Sequence, residues 1–180
     1  MNITIVGSTG NVGRKIIEVL EKKNFPVDNL YLVASSKSAG SKLRFKEKEI
    51  EVENLETFDF SKSKITFFSA GSKISEKYAT KAAEHSTVID NSSYFRMDPN
   101  VPLIVPEVNP KDLKDYKKKN IIANANCSVI PLVVALKPLH DLYEIKRIVA
   151  STYQSVSGAG KAPMDELLSQ TKDFFEGKEL

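Results

Sequence analysis

Ile3-Thr4-Ile5-Val6-Gly7-Ser8-Thr9-Gly10-Asn11-Val12-Gly13 is the stretch on which the fold turns. An apolar strand runs into three evenly spaced glycines, and Ile16, Ile17, Val19 and Leu20 follow at the spacing of one helix face. Between a strand and a helix, such glycines let the backbone approach a dinucleotide pyrophosphate while the helix start supplies N–H donors. Gly7, Gly10 and Gly13 are therefore candidate cofactor contacts. The competing reading is a tight strand-to-helix turn with no ligand.

Working outward, Leu30 to Ala34 reads as the second strand, ending about twenty residues beyond the last glycine, where an NAD site carries a carboxylate for the ribose 2′-hydroxyl. This chain instead has Ser35-Ser36-Lys37-Ser38-Ala39-Gly40. Ser35, Lys37 and Ser38 offer hydroxyls and a cation suited to a 2′-phosphate, with no carboxylate to repel it, so NADP is expected over NAD. A polar loop at the sheet edge is the alternative. Leu43 to Leu55 alternates as a solvent-facing hairpin, and Ile65 to Phe68 is a buried strand. Ser69, Ala70 and Gly71 then form a second small-residue turn at the strand end that lines the ligand crevice of open parallel sheets.

A helix is predicted from about Ser75 to Glu84, closed by His85, and a strand from Thr87 to Asp90. The loop Asn91-Ser92-Ser93-Tyr94-Phe95-Arg96-Met97-Asp98 sets Arg96 among amides and hydroxyls, suited to bidentate capture of an oxyanion. Pairing of Arg96 with Asp90 or Asp98 remains equally open. Leu103 to Val105 reads as a strand, Pro110 to about Lys118 as a polar helix, and Ile121 to Ala123 as the strand that delivers Cys127.

Asn124-Ala125-Asn126-Cys127-Ser128 holds the only cysteine. It precedes a predicted helix from Val129, with Pro131 in the first turn, where a missing N–H does no harm. The unpaired N–H groups and positive dipole end of that helix favour a thiolate, the nucleophilic form of the side chain. Pro138 is expected to end or kink the helix near Lys137. Ile145 to Gln154 is expected as the first strand of a second region, returning Gln154 and Ser155-Val156-Ser157-Gly158-Ala159-Gly160 to the site, with a helix from Pro163 to Phe175.

Composition narrows the classes. With 41% hydrophobic and 27% charged residues the chain is an ordinary globular one. Its net charge of +3, from 26 basic and 23 acidic residues, gives no reason to expect nucleic acid as a partner. The basic run Lys117-Lys118-Lys119 lacks an interleaved aromatic platform and reads as a solvated face. One cysteine fits a reducing compartment, and the apolar run at the N-terminus is too short for a signal peptide or membrane span, so a cytoplasmic, soluble protein is expected. No metal site is expected.

A thiolate, a nicotinamide cofactor and an anion-binding arginine suggest one reaction class. Cys127 attacks a carbonyl carbon, Asn126 and backbone N–H groups stabilise the oxyanion, and the acyl group is held as a thioester. Such chemistry wants a base. His140 lies too far along the helix from Cys127, about 20 Å at ~1.5 Å per residue. His85 ends a different helix, away from the strand C-terminal ends. Both are read as structural, and the base is expected outside this chain.

The segments Gly7 to Gly13, Ala34 to Gly40, Ser69 to Gly71, Asp90 to Arg96, Asn126 to Ser128 and Ser151 to Gly160 together resemble the N-terminal half of the bacterial aspartate-semialdehyde dehydrogenase family. The resemblance implies an NADP-dependent reductive dephosphorylation of aspartyl 4-phosphate to aspartate 4-semialdehyde, feeding lysine, threonine, methionine and diaminopimelate synthesis. It implies that Cys127 forms the acyl-thioester, Asn126 orients it, Gln154 positions substrate and Arg96 holds the phosphoryl group. It further implies that Thr9, Gly10, Asn11 and Val12, Lys37 with Ser38, and Ser157 with Gly158 hold NADP, and that the full-length family protein is a homodimer. Ala125 stands where the family usually has proline, and Lys37 where it usually has arginine.

The expected fold is therefore α/β: a Rossmann-like NADP-binding domain with a mostly parallel sheet over residues 1–126, then the start of an incomplete α+β dimerisation and catalytic domain over 127–180. On the resemblance, the catalytic histidine and a substrate-binding arginine lie beyond Leu180, and the chain is expected to be a fragment unable to turn over alone. Two alternatives are N-acetyl-glutamyl-phosphate reductase and a non-catalytic nucleotide-binding paralogue.

Overall fold

The strands Ile3–Val6 (β1), Leu30–Ala34 (β2), Lys42–Phe45 (β3), Lys48–Asn54 (β4), Ile65–Phe68 (β5), Thr87–Asp90 (β6), Leu103–Ile104 (β7) and Ile121–Asn124 (β8) form one sheet in the order β3-β4-β2-β1-β5-β6-β8-β7. The computed structural model describes residues 1–178. Glu179 and Leu180, at the end of the expected second region, lie outside the described residues. The chain divides into two units, Met1–Lys146 and Arg147–Leu180.

Every strand pair is parallel except β3 with β4. The continuous apolar runs explain this, because parallel strands are covered on both faces and need no polar side. Successive residues alternate between faces. Ile3, Ile5 and Leu32 pack with Ile17 and Leu20 of α1 (Asn11–Lys22), while Val6, Val33, Phe68 and Val88 pack with Ala79, Ala82 and Ala83 of α2 (Ser72–Ala83). The two helices thus cover opposite faces. From β1 the chain moves to β2 on one side and, after the hairpin, to β5 on the other. The sheet order reverses there, which makes the C-terminal ends of β1 and β5 the natural ligand crevice.

Several expectations need correction. The hairpin of β3 and β4 exists, but it is not simply solvent-facing: β4 extends the main sheet by pairing with β2, and Phe45 and Val52 are buried. α2 begins three residues early, because Gly71 at φ +88° turns the chain directly into it. The polar segment Pro110–Lys118 is a 3-10 helix. Of the two outcomes expected at Pro138, an end or a kink near Lys137, the helix does not end: α3 (Val129–Tyr143) runs through the proline.

The strand expected over Ile145 to Gln154 is absent: residues 144–155 carry no regular structure. An alternating pattern forms a strand only where a ladder partner satisfies its backbone, and these residues have none among the described ones. In the second unit, residues 156–159 form a 3-10 turn and Lys161–Phe175 forms α4, two residues longer at its start than expected. No helix among the described residues is long and apolar enough to cross a membrane.

Candidate active site

The parallel registers Val6↔Phe68, Phe68↔Asp90 and Asp90↔Ala123 bring four strand ends to one rim of the sheet. The Gly7 turn, the Ser69 turn, the Asn91–Arg96 loop and the Cys127 turn therefore follow one another along that rim. From the Gly7 turn to the Cys127 turn is three strand spacings, about 14 Å. α1, α2 and α3 all start on this rim, and none carries an acidic residue in its first turn. Their positive ends are left for an anionic ligand.

The glycine turn is shaped by close approach. A Cβ on Gly13 would lie 2.2 Å from the Gly7 carbonyl oxygen, and one on Gly7, already at φ +83°, would lie 2.9 Å from the Ser69 backbone. Ser69 locks the two turns together, its Oγ donating to the carbonyl of Val6 at 2.9 Å. Gly10 caps α1 without a side-chain bond, so the helix N–H groups are not taken up by a capping hydroxyl. A cradle with no room for a Cβ, at an uncapped helix start, fits a dinucleotide pyrophosphate. Thr9 is half-buried, and Asn11 and Val12 are exposed on the first turn of α1. Ser35 and Lys37 are exposed beyond β2, adjacent to β1, with Ser38 half-buried and Ala70 exposed beside Ser69.

Arg96 takes neither of the ion-pair partners left open by the sequence. Its Nε donates to the carbonyl of Asn124 at 2.9 Å and its Nη2 to that of Asn91 at 3.0 Å. Asp90 is fully buried and accepts from Ser75 Oγ, Ser92 N and Ser92 Oγ at 2.7, 3.0 and 2.7 Å. Asp98 pairs with Lys119 at 2.6 Å, and that hydrogen bond, with the N–H of Asn100, holds its carboxyl below the usual range. Lys118 pairs with Asp115, so two members of the basic run are matched by acids.

Cys127 is exposed at the α3 start. The Asn126 carbonyl accepts from Val129 and Ile130, both at 3.0 Å, and its Oδ1 accepts from Ser128 N at 2.9 Å. Asn126 is thus the working cap of α3 and aligns the cysteine turn, leaving its NH₂ end as the part it can offer a substrate. Ala125 is buried beneath the turn. His140 lies near the far end of α3 and His85 just after α2, so neither starts a helix on this rim.

Gln154, Ser157 and Gly158 belong to the second unit. Within it, a Cβ on Gly158 would meet the Gln154 amide at 2.4 Å, so these two are neighbours, and Ser155 caps the turn that contains Ser157. Sequence reasoning missed Asn91 and Asn124 as side chains of interest. Asn124 Nδ2 donates to Asn91 Oδ1 at 2.7 Å across 33 residues of chain, a separation that no local pattern reveals. The Asp-x-Ser spacing at Asp90 and Ser92 is a local turn signal and was available.

Comparison with known proteins gives the same picture from another direction. The family described as "Semialdehyde dehydrogenase, NAD binding domain" matches residues 2–116, and "Semialdehyde dehydrogenase, dimerisation domain" matches residues 136–180. Aspartate-semialdehyde dehydrogenase of Aquifex aeolicus (strain VF5) is 56% identical over 180 residues, 99% of this chain and 53% of that protein. The crystal structure of aspartate semialdehyde dehydrogenase II complexed with ASA, from Vibrio cholerae, matches with a TM-score of 0.93 at 50% identity, covering 98% of this chain and 53% of that one. An aspartate semialdehyde dehydrogenase from Candida albicans, solved with NADP, matches with a TM-score of 0.64 at 28% identity, covering 80% and 48%. The chain spans about half the length of the curated relatives it matches. With its glycine cradle, switch-point sheet and family match over residues 2–116, the chain belongs to the semialdehyde dehydrogenase family.

Proposed function

We propose that this chain carries the nucleotide-binding and nucleophile-bearing part of an NADP-dependent aspartate-semialdehyde dehydrogenase, which converts aspartyl 4-phosphate to aspartate 4-semialdehyde. One observation supports it most: an exposed Cys127 stands at the start of α3 on the same sheet rim as the glycine cradle, with Arg96 on the loop after the neighbouring strand. In this reading residues 1–126 bind the nucleotide and catalysis begins at Cys127. Gly7 to Gly13 and Ser69 to Gly71 receive the dinucleotide, with Ser157 and Gly158 joining them. Ser35, Lys37 and Ser38 suit the 2′-phosphate of NADP, and a relative was solved with NADP.

The sulfur of Cys127 attacks the acyl carbon, the carbon–oxygen bond to phosphate breaks, and the aspartyl group is left as a thioester. Arg96 steadies the departing phosphate, and the Asn126 amide with backbone N–H groups at the α3 start receives the oxyanion. When bound, NADPH supplies the hydride that takes the thioester to the aldehyde. Gln154 orients the substrate, and the assembled enzyme is a homodimer in the cytoplasm. Neither His140 nor His85 serves as the base, since neither stands at a strand C-terminal end.

Acyl transfer from phosphate to sulfur can be read without the later steps. Incubation of the chain with freshly generated aspartyl 4-phosphate should add one aspartyl group, located by peptide mass spectrometry on Cys127 and released by hydroxylamine. A Cys127→Ser chain should lack this thioester. An adduct on another residue, or one of equal yield in Cys127→Ser, would end the proposal.

A further inference from the structure

We propose that Asn91 and Asn124 are a positioning pair for Arg96, setting the guanidinium plane at the site. The inference rests on the reading of Arg96 as an anion-holding group. The paired register of β6 and β8 stops at Asp90↔Ala123, so Asn91 and Asn124 form the next rung beyond the backbone ladder. There a side-chain bond replaces the missing main-chain one: Asn124 Nδ2 donates to Asn91 Oδ1 at 2.7 Å. Asn91 is tied in turn to β5, its Nδ2 donating to the Phe68 carbonyl at 3.2 Å and its backbone N to the same oxygen at 3.0 Å.

Arg96 closes the ring. Its Nε and Nη2 bind the carbonyls of these same two residues, so the separation of the two carbonyls fixes the plane of the guanidinium. The amide pair sets that separation. With the Nε side committed to the backbone, an anion must approach Arg96 end-on, through Nη1 and the second N–H of Nη2. All three residues are half-buried, which strengthens each bond relative to water while leaving the open end reachable. The same ring joins the end of β5, just before Ser69, to the end of β8, three residues before Cys127. The cofactor turn, the arginine and the cysteine turn are thereby held in one frame.

The test uses the 180-residue chain, with the Arg96 Nε–H signal in ¹⁵N-resolved NMR assigned by its loss in Arg96→Lys. In Asn124→Ala the backbone acceptor for Nε survives and only the amide pair is lost. The expected result is that solvent exchange of the Arg96 Nε–H rises, and its response to inorganic phosphate weakens, each by about fivefold, the factor one ordinary hydrogen bond supplies. NADP affinity should stay within about twofold, and Asn91→Ala should reproduce the effect on Arg96, which also covers the case of one variant failing to fold. A residue that only ends the sheet would lower Tm and leave the Arg96 signal unchanged; that result, in either folded variant, would overturn the positioning role. If instead Arg96→Lys binds phosphate as the parent does, the anion reading of Arg96 fails while exchange of the Nε–H still decides the pairing.

Discussion

Up to Ala125 this chain holds all of its buried residues; after it, no described residue is buried. Ile5, Leu32, Val33 and Phe68 are fully inaccessible, whereas Val149, Tyr153 and Phe175 are 80%, 102% and 82% exposed. The apolar content of the two regions is comparable in kind, so the difference lies in partners. Before Ala125 the strands are paired in one sheet, six of the eight with a neighbour on both sides, and α1 and α2 cover opposite faces of its centre. After it, α3 is at most half-buried, and α4 leaves Leu167, Leu168, Phe174 and Phe175 exposed. Hydrophobicity alone does not make a core; it needs a second surface within reach.

That contrast is open to direct attack. Gly13→Ala in the first region pushes a Cβ against backbone that cannot yield, at 2.2 Å from the Gly7 oxygen. It should cost more than about 4 kcal/mol in urea unfolding and abolish NADP binding. Gly158→Ala in the second region meets the side chain of Gln154 and no backbone, and its unfolding midpoint should fall far less than that of Gly13→Ala. Comparable losses from both would break the comparison.

Phe68→Ala empties a fully buried site and should cost about 3–5 kcal/mol, while Phe175→Ala should change stability by less than about 0.5 kcal/mol. A large loss from the second would reveal a surface that covers Phe175.

The smallest effect is electrostatic. The depressed pKa of Asp98, due first to its hydrogen bond from Lys119, means that its contribution is present above the unfolded value near ~3.9 and disappears as pH falls through the folded value. Both groups are partly solvated, so screening leaves roughly a few tenths of a kcal/mol. Asp98→Asn should lower Tm slightly at pH 6, and the deficit should shrink as the pH falls below the unfolded value; a deficit that does not change with pH would point to packing.

The same contrast explains what could be read from the sequence. Leu30 to Ala34 and Ile65 to Phe68 are strands by their short, mostly apolar runs, and both occur at the expected residues, because local pattern and tertiary burial agree there. Gly7 and Gly13 were visible as a turn, and the 2.2 Å approach accounts for why no other residue fits. Pattern reading failed where partners decide. Ile145 to Gln154 alternates like a strand but has no ladder partner among the described residues, and α3 continues past Pro138 to Tyr143. The backbone acceptors of Arg96 could not be read from the sequence for a related reason. Its acceptors are two carbonyls brought together by parallel pairing, and charge-based reasoning looks for carboxylates.

The account stands on Cys127 and the nucleotide sharing one rim. The most direct measurement is the rate of Cys127 alkylation by iodoacetamide with and without saturating NADP, with binding of NADP followed independently on the same sample. Occupied by the cofactor, the chain is expected to react at least about tenfold more slowly, as a ligand lying over the sulfur requires. Bound NADP with an unchanged alkylation rate would put the sulfur outside the crevice and contradict the proposed chemistry.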